Sequence, residues 1–341
     1  MKIFVGMSGG VDSSVAALLL KKKNFDIVGC FIKGWYPKGI YCPWKEERRD
    51  AIKVCAKLGI PFLTIDAEKE YKKSVVDYML REYRAGRTPN PDVMCNRDIK
   101  FGVFLKRALA LGADYIATGH YVKIKNKKLF QARDLNKDQS YFLWTLKQNQ
   151  LKHCLFPLAD LTKPEVRALA KKYNLPTAEK RESMGVCFLG EFDIAEFLKK
   201  YIKPKRGKVL RGDGKIVGEH EGVEFYTIGQ RHGFSPGGGV PYYIVKKDFR
   251  KNILIVADKI DEKNFYKKEV EIENANWISG KPLGHLVSKL LKARIRYRQP
   301  LQNCKIKKNK IIFAEPQRAV TSGQSLVLYD GKEMLGGGII K

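Results

Sequence analysis

The sequence has few acidic residues for its length and lacks long apolar runs. Its 341 residues include 65 lysine and arginine residues against 36 aspartate and glutamate residues, a formal net charge of +29. No stretch reaches the roughly 18 consecutive apolar residues of a membrane span, and Asp12 interrupts the first apolar run before it resembles a signal sequence. The sequence therefore predicts a cytoplasmic protein, not a membrane protein, with a polyanionic partner and nucleic acid favoured over a membrane surface.

The seven cysteines are widely spread and include no CxxC pair. This spacing argues against a disulfide framework and a zinc knuckle, and we assign no residue as a metal ligand. Cys30 and Cys55 lie in apolar periodic segments and are predicted to be buried small hydrophobes. Cys95 lies near a predicted helix start, which stabilises a thiolate, and Cys187 lies between glycines in an irregular stretch. Spacing alone leaves both a reactive and a structural role open for these two.

The segment MSGGVDSS (7–14) follows the apolar stretch KIFV and has no lysine after Gly10. That absence excludes the G-x-x-x-x-G-K-[ST] loop, and the glycine spacing excludes G-x-G-x-x-G. Glycines let a ligand approach the backbone, and the start of a helix offers N–H groups and the positive end of its dipole. The segment is therefore a candidate phosphate-binding turn. An ordinary strand-to-helix turn capped by Asp12 or Ser13 is the alternative.

Up to about residue 120, short apolar runs alternate with longer amphipathic stretches. Strands are predicted for KIFVGM, DIVGCFI, PFLTIDA and ADYIATGH, and helices for 12–23, 45–58, 68–84 and 96–111. This alternation predicts an α/β fold with a doubly wound parallel sheet, whose ligands bind at the carboxyl ends of the strands. Gly6 to Ser13 and TGHY (118–121) both lie at such ends.

The pattern changes in the second half of the chain. Helical spacing continues over 137–146, 163–173 and 193–202. After Tyr201, short alternating strands with glycine turns predict two small, mainly antiparallel β domains. We expect an α/β domain over 1–203, a central small β-rich domain over 204–268 and a C-terminal β-barrel over 269–341.

Two basic runs extend the charge argument to particular segments. Residues 289–310 hold nine basic residues and no acidic one, and residues 199–215 form a second run across the expected domain boundary. Arg294, Arg296 and Arg298 alternate, so on a strand they would share one face and follow a phosphate backbone. An edge strand protected by charge is the alternative.

Several motifs together carry a resemblance to a known family. They are, in order, GMSGGVDSSVAA, NPDVMCNRDIKF, ATGHY, KDQSYFLW, ESMGVCFLGE, YTIGQR, RYRQ and EPQRAVTSGQ. SGGVDS alone resembles the pyrophosphate-binding loop of the N-type ATP pyrophosphatases. The whole set, from about residue 2 to about 340, resembles the tRNA-specific 2-thiouridylases.

The resemblance implies an adenine nucleotide hydrolase-like fold for the first domain and a two-stage reaction. ATP would adenylate the C2 oxygen of wobble uridine 34 in tRNA, releasing pyrophosphate, and persulfide sulfur would then displace AMP to give 2-thiouridine. The implied cofactors are ATP, Mg²⁺ and persulfide sulfur, with Asp12 helping to position the magnesium. The implied partners are tRNA, through its anticodon stem-loop, and a cysteine desulfurase or sulfur-relay protein.

The resemblance also assigns residues to roles. Cys187 matches the persulfide carrier and Cys95 the nucleophile that resolves it through a transient disulfide, while Asp92 is the candidate for proton transfer; an Asx turn is the alternative for Asp92. The ATP-contacting positions are Gly6, Met7, Ser8, Gly9, Gly10, Val11, Asp12, Ser13, Ile32 and Gly119. The tRNA-contacting positions are Asn90, Pro91, Asp92, His120, Lys137, Asp138, Gln139, Arg296, Tyr297 and Gln324.

Two other functions compete with this one. An ATP-dependent amidating enzyme or synthetase from the same superfamily would explain the loop but would leave Cys95, Cys187 and the net charge of +29 without roles. A non-catalytic basic RNA-binding protein on an old nucleotide-binding scaffold predicts decay of the loop or the cysteines, and both are present.

Overall fold

The computed structural model describes residues 1–37, 44–181, 193–234, 241–282, 284–286 and 289–341. The strands are β1 (Lys2–Gly6), β2 (Asp26–Lys33), β3 (Phe62–Asp66), β4 (Tyr115–Ala117), β5 (Val122–Lys125), β6 (Lys128–Gln131), β7 (Cys154–Leu155), β8 (Gly207–Arg211), β9 (Ile216–His220), β10 (Tyr243–Asp248), β11 (Ile253–Ala257), β12 (Lys267–Trp277), β13 (Leu291–Arg294), β14 (Gln302–Lys307), β15 (Lys310–Gln317), β16 (Ser325–Asp330) and β17 (Glu333–Ile340).

The helices are α1 (Val11–Lys22), α2 (Trp44–Leu58), α3 (Glu68–Tyr71), α4 (Asp77–Arg84), α5 (Pro91–Met94), α6 (Leu105–Ala110), α7 (Gln148–Leu151), α8 (Lys163–Lys172) and α9 (Ile194–Lys199). A π-helical segment, Lys72–Val76, joins α3 to α4, and another, Cys95–Phe104, joins α5 to α6. Each pair is therefore one continuous helix, as the apolar spacing predicts for 68–84.

The first part of the chain builds a parallel sheet of order β3-β2-β1-β4-β7, in which every pairing is parallel. The central parts of β1, β2 and β4 are apolar, as expected for strands covered on both faces, and Ile3, Val5 and Ile116 are completely buried. The carboxyl ends of the neighbours β1 and β4 bring the 7–14 segment beside TGHY. The predicted parallel α/β sheet is confirmed.

The second part of the chain is built from β-sheets, also as predicted. A four-stranded sheet has the order β10-β11-β8-β9. Strands β12, β15, β14, β13, β16 and β17 follow one another in an antiparallel sheet, and pairing of β12 with β17 closes it into a barrel. The hairpin β5–β6 extends this sheet by pairing Phe130 and Leu129 with the start of β17. A piece of the first 203 residues is thus part of the barrel sheet, which local pattern alone did not predict.

Two predicted helices differ from the observed ones. Over 137–146 the structure has a single 3₁₀ turn, Ser140–Leu143, because the Asp138 carboxylate accepts the backbone N–H groups of Ala132 and Ser140 and holds the chain in a loop. The helix predicted to start at residue 96 instead begins at Pro91. Asn90 caps it by accepting the Val93 N–H at 3.3 Å, and proline is tolerated at the first helical position.

Candidate active site

The 7–14 segment forms a tight turn that leads directly into α1. Gly10 is the N-cap residue, and no side chain caps this helix, so the capping role considered for Asp12 or Ser13 is wrong. The serine hydroxyls instead bind within the turn: Ser13 Oγ donates to the Gly10 carbonyl at 3.0 Å and accepts the Ser8 N–H at 3.2 Å. The result is a fixed loop at the positive end of a buried helix, which suits a phosphate group.

Two glycines allow neighbouring segments to approach this loop closely. Gly9 has a positive φ of 73°, and a Cβ there would lie 2.2 Å from the Glu47 carbonyl oxygen in α2. A Cβ at Gly119 would lie 2.8 Å from the Ser13 nitrogen at the start of α1. Any side chain at either position would push the loop out of place.

A lysine distant in sequence supplies the charge that the loop lacks. Lys163, the first residue of α8, is buried and donates its ammonium to both carboxylate oxygens of Asp12 at 2.7 and 2.8 Å. Tyr121 donates its hydroxyl to the same carboxylate at 2.8 Å. The sequence does not point to Lys163 or Tyr121 as partners of Asp12, because the local signal near Lys163, the Thr162–Glu165 capping box, marks only a helix start.

The loop opens onto a pocket of about 260 Å³ between the ends of β1, β2 and β4. Its walls include the predicted ATP-contacting positions Gly6, Met7, Ser8, Asp12, Ser13, Ile32 and Gly119. The other lining residues are Phe31, Gly34, Tyr36, Glu47, Tyr71, Cys95, Ile99, Lys100, Thr118, His120 and Gln139. Apolar and aromatic groups thus line the pocket together with hydroxyl, carboxylate and ammonium groups, a mixture that suits a ligand with both a base and phosphates.

Cys95, one of the two candidate reactive cysteines, lines this pocket. It is buried and follows the first helical turn after Pro91, at the start of the π-helical segment. Asp92 lies in that first turn and is half-buried, three residues before the thiol. Cys187 falls in 182–192, outside the described residues, so its pairing with Cys95 stays a prediction.

The other described cysteines are structural. Cys30, Cys55, Cys154 and Cys304 are buried and none is in a disulfide. Burial raises the pKa of Cys55 to about 11 and that of Cys30, Cys154 and Cys304 to about 12, which keeps these thiols protonated. The prediction that Cys30 and Cys55 act as small hydrophobes is confirmed.

His120 borders the pocket as an uncharged group. Burial lowers its pKa well below the usual 6.5, and the positive charge of Lys100 lowers it further. Its Nδ1 lies 2.8 Å from the Thr118 hydroxyl, and its ring packs against Phe101 and Phe156. At neutral pH His120 therefore offers a hydrogen bond and an aromatic surface rather than a positive charge.

The structure contradicts the proposed row of arginines. Only Arg294 lies on β13; it is buried and donates to Asp138 and Tyr329. Arg298 is beyond the strand, in a turn with a positive φ of 63°. The three guanidinium groups therefore do not share one strand face. The Asp138 side chain, assigned to tRNA, is wholly buried in its pair with Arg294 and cannot contact RNA.

Three more of the predicted tRNA contacts, Arg296, Tyr297 and Gln324, are engaged within the protein. Arg296 is half-buried and donates to the carbonyl oxygens of Ile228 and Ala319. Tyr297 packs against the Phe142 ring at 4.6 Å between centroids. Gln324 donates its amide to two carbonyl oxygens, those of Thr88 at 2.9 Å and Pro89 at 3.0 Å. These contacts join parts of the chain that are far apart in sequence.

A basic cleft lies beside the buried Arg294. It has a volume of about 640 Å³ and is lined by Gln131, Leu135, Asn136, Lys137, Lys292, Arg294, Arg298, Gln299, Pro300 and Leu301. No carboxylate lines it, and Lys292 and Arg298 are exposed. Lys137 on one wall and the 292–301 turn on the other thus create a positive surface, which we name the basic cleft.

The next feature is the set of side chains that could bind a metal ion. Among the residues that the structure describes, no group of three or more histidine, cysteine, aspartate or glutamate side chains is placed to hold a metal ion. Asp12 and Glu47 are the carboxylates in the pocket wall, and burial raises the pKa of Glu47 above its usual value.

In the described parts of the chain, every helix is too short or too polar to cross a bilayer.

Comparison with known proteins gives consistent full-length matches. Family models match a tRNA methyl transferase HUP domain over residues 1–191, a tRNA methyl transferase PRC-barrel domain over 195–258 and an aminomethyltransferase β-barrel domain over 267–340. Among solved structures, a 4-thiouridine synthetase in complex with RNA and bound ATP is 19% identical, with a TM-score of 0.39, over 58% of this chain and 50% of that chain.

Curated relatives match over nearly their whole length. The tRNA-specific 2-thiouridylase MnmA of Lysinibacillus sphaericus is 44% identical, over 100% of this chain and 94% of the relative. The proteins of the same name from Halalkalibacterium halodurans and Bacillus pumilus are each 45% identical, over 99% of this chain and 94% of the relative. With the phosphate-type loop and Cys95 on one pocket, these matches show that the chain belongs to the tRNA-specific 2-thiouridylase family.

Proposed function

We propose that this chain is an ATP-dependent tRNA 2-thiouridylase that replaces the C2 oxygen of wobble uridine 34 with sulfur. The observation that carries the proposal is the pocket of about 260 Å³. Ser8 and Ser13 of the phosphate-type turn and Cys95 all line it. A loop for phosphates and a candidate sulfur nucleophile are both required, because the uridine oxygen is a poor leaving group until it is esterified.

The first stage is adenylation. The C2 oxygen attacks the α-phosphorus of ATP, the bond between that phosphorus and the bridging oxygen breaks, and pyrophosphate leaves. The turn of residues 7–14 holds the departing pyrophosphate, and the ammonium of Lys163, held on Asp12, supplies positive charge. Asp92 is the candidate base for the proton that the uridine ring loses.

The second stage is sulfur transfer. The terminal sulfur of a Cys187 persulfide attacks C2, and the C2–O bond breaks to release AMP. The Cys95 thiolate attacks the Cys187 sulfur, the persulfide S–S bond breaks, and the sulfur atom remains on the uridine. A Cys95–Cys187 disulfide results, which a thiol reductant must reduce. A cysteine desulfurase or relay protein must then reload Cys187.

Magnesium fits the pocket as a companion of ATP. Mg²⁺ is usually held by one or two carboxylates together with substrate phosphates. Asp12 and Glu47 are the pocket carboxylates that fit this arrangement, and Asp12 would exchange part of its contact with Lys163 for the ion. Bound there, the ion would neutralise phosphate charge.

The basic cleft is our candidate for contact with the tRNA backbone. Lys137, Lys292 and Arg298 line the cleft together with Arg294, and none of the lining residues is a carboxylate. Arg296 and Tyr297 lie in the same segment, between Arg294 and Arg298, and are further candidates for contact with RNA that follows the cleft. The target base would leave the anticodon stack to enter the pocket, at a cost of a few kcal/mol.

We infer three domains, over residues 1–203, 204–268 and 269–341. The separate sheets support this division: the parallel sheet ends with β7, the four-stranded sheet spans β8 to β11, and the barrel begins with β12. The β5–β6 hairpin is the exception, because it belongs to the first stretch in sequence and to the barrel sheet in space.

The deciding experiment is mass spectrometry of tRNA nucleosides from cells with and without this protein. We expect 2-thiouridine derivatives to disappear from the wobble position when the protein is absent. A lost methyl group would instead support the methyl transferase description of the matching family models. A lost nitrogen-containing group would support the amidating alternative, and unchanged nucleosides would support a non-catalytic RNA-binding protein.

Purified protein tests the two stages separately. With tRNA and ATP we expect AMP and pyrophosphate, and Ser13→Ala is expected to suppress both. Cys187→Ser should retain adenylation and lose thiolation, whereas Cys95→Ser should stall with the transferable sulfur still bonded to the Cys187 sulfur. Release of ADP and phosphate would overturn the pyrophosphatase assignment, and near-normal thiolation by both cysteine variants would overturn the two-cysteine mechanism.

A further inference from the structure

The segment that precedes the Cys95 helix is held by the far end of the chain. The Thr88 N–H donates to the Ser322 carbonyl at 2.9 Å, and the Gln324 amide nitrogen donates to the carbonyl oxygens of Thr88 and Pro89 at 2.9 and 3.0 Å. Residues 322–324 form the turn before β16 of the barrel, so three hydrogen bonds tie the barrel to this segment.

The central β-rich region, residues 204–268, also contacts this segment. The hydroxyls of Thr88 and Thr227 lie 3.3 Å apart. Gly86, with a φ of 76°, lies so close to the Phe249 ring that a Cβ there would be 2.8 Å from it. Thr88 itself is buried. The segment is therefore a junction at which all three proposed domains meet.

The junction is directly coupled to the proposed chemistry. Pro89 and Pro91 have no N–H groups, so the segment relies on carbonyl acceptors and on few hydrogen bonds for its position. Asn90 then caps the helix whose first turn holds Asp92 and which leads to Cys95. Moving Thr88 and Pro89 would move the start of that helix, because only Asn90 separates Pro89 from Pro91, the first helical residue.

We propose that Gln324 is a positioning residue that sets the location of Asp92 and Cys95 through Thr88 and Pro89. We call the hydrogen bonds from Gln324 to Thr88 and Pro89 the clamp. The effect of the clamp on catalysis rests on the proposed function, whereas the clamp itself does not. Because the clamp arises from the barrel, tRNA bound to the barrel and the Cys95 helix are mechanically linked. Gly323 allows this contact, since its φ is 91° and a Cβ there would lie 2.8 Å from the Thr88 oxygen.

The test replaces the amide donor and follows the segment directly. Gln324→Leu removes both hydrogen bonds, and Gln324→Lys keeps an N–H donor. Gln302→Leu is the matched control, because Gln302 is also a barrel glutamine but donates locally to the Pro300 carbonyl. Hydrogen–deuterium exchange of the 86–95 peptide is measured without tRNA or ATP. We expect faster exchange in Gln324→Leu, protection close to wild type in Gln324→Lys and no change in Gln302→Leu.

Kinetics then separate positioning from binding. For Gln324→Leu we expect single-turnover thiolation at saturating tRNA to fall at least about tenfold, with the Kd for tRNA within about twofold of wild type. A raised Kd with the saturating rate intact would overturn the proposal in favour of direct tRNA contact, as would unchanged exchange in the 86–95 peptide. If wild-type protein fails to thiolate tRNA, the proposed function fails, while the exchange result still decides the clamp.

Discussion

At the scale of single residues, Asp12 and Lys163 form the pair on which the phosphate loop depends. The Lys163 side chain is 10% exposed and the Asp12 side chain 34% exposed, so the pair is only partly shielded from water. Asp12 lines the pocket, so it holds the Lys163 ammonium beside the place where we propose that phosphates bind.

Lys163→Met should therefore impair adenylation more than stability. We expect pyrophosphate release to fall by about 100-fold or more, because a preorganised charge at the phosphates is lost. Loss of the partner of a partly exposed Asp12 should cost about 1–2 kcal/mol of the free energy of unfolding. The measurements are pyrophosphate release and urea unfolding, with Lys171→Met on the exposed face of the same helix as control. Equal pyrophosphate release in both variants would remove Lys163 from the site.

A second residue-scale prediction concerns Asp138 and Arg294. Their side chains are 0% and 4% exposed, so removing one charge leaves the other buried without a partner. Asp138→Asn should cost about 3–5 kcal/mol of unfolding free energy. Asp160→Asn, in the exposed pair with Lys123, should cost less than about 1 kcal/mol. Denaturant unfolding of both variants measures the difference. A stable Asp138→Asn with weakened tRNA binding would return Asp138 to the RNA contacts.

At the scale of elements, the basic cleft is built where the 131–137 loop meets the turn after β13. Because β13 ends at Arg294, the following residues turn and do not alternate. As a result, Arg294 is buried in the protein, whereas Arg298 lies on the surface. The positive surface therefore belongs to a loop and a turn together, and not to a strand face.

Exchanging the cleft charges should change how tRNA binding depends on salt. Lys137→Gln, Lys292→Gln and Arg298→Gln combined should weaken binding and reduce the slope of log K against log salt by about 2 to 3, because each lost phosphate contact removes roughly 0.7 to 0.9. ATP affinity should stay unchanged. The matched control replaces Lys305, Lys307 and Lys308, exposed on the same barrel, with glutamine. Equal slopes in the two triple variants would show that tRNA binds elsewhere, with 199–215 as the next candidate.

At the scale of the whole molecule, buried histidines make stability depend on pH. Burial lowers the pKa of His120 well below 6.5 and also lowers that of His220. The unfolded chain binds protons near pH 6.5, where the folded chain does not. Folding is thus penalised as the pH falls below that value, and stability is complete above it.

We expect the free energy of unfolding to be flat above about pH 6.5 and to fall by up to about 1.4 kcal/mol per pH unit for each such histidine below it. His120→Gln should reduce that slope relative to the wild-type protein. Urea unfolding between about pH 5 and 8 measures both slopes. An unaltered slope in His120→Gln would mean that other groups control the acid sensitivity.

The sequence determined the local elements of this protein better than the contacts between residues that are distant in the chain. The order of strands and helices up to β4, the tight turn at 7–14 and the burial of Cys30 and Cys55 follow from residues adjacent in the chain, because apolar spacing and glycine act locally. The reaction assigned to the site came from motifs shared with a family. Residues 137–146 were misjudged as helix, because Asp138 binds Arg294, 156 residues away.

Only the tertiary structure decided which distant residues meet. Lys163 reaches Asp12 across 151 residues, Gln324 reaches Thr88 across 236, and the β5–β6 hairpin joins the barrel through β17. A sequence pattern records whether a side chain is buried or exposed, since that depends on periodicity within one element. It does not record the partner, which is set by how separate sheets pack and where the chain returns.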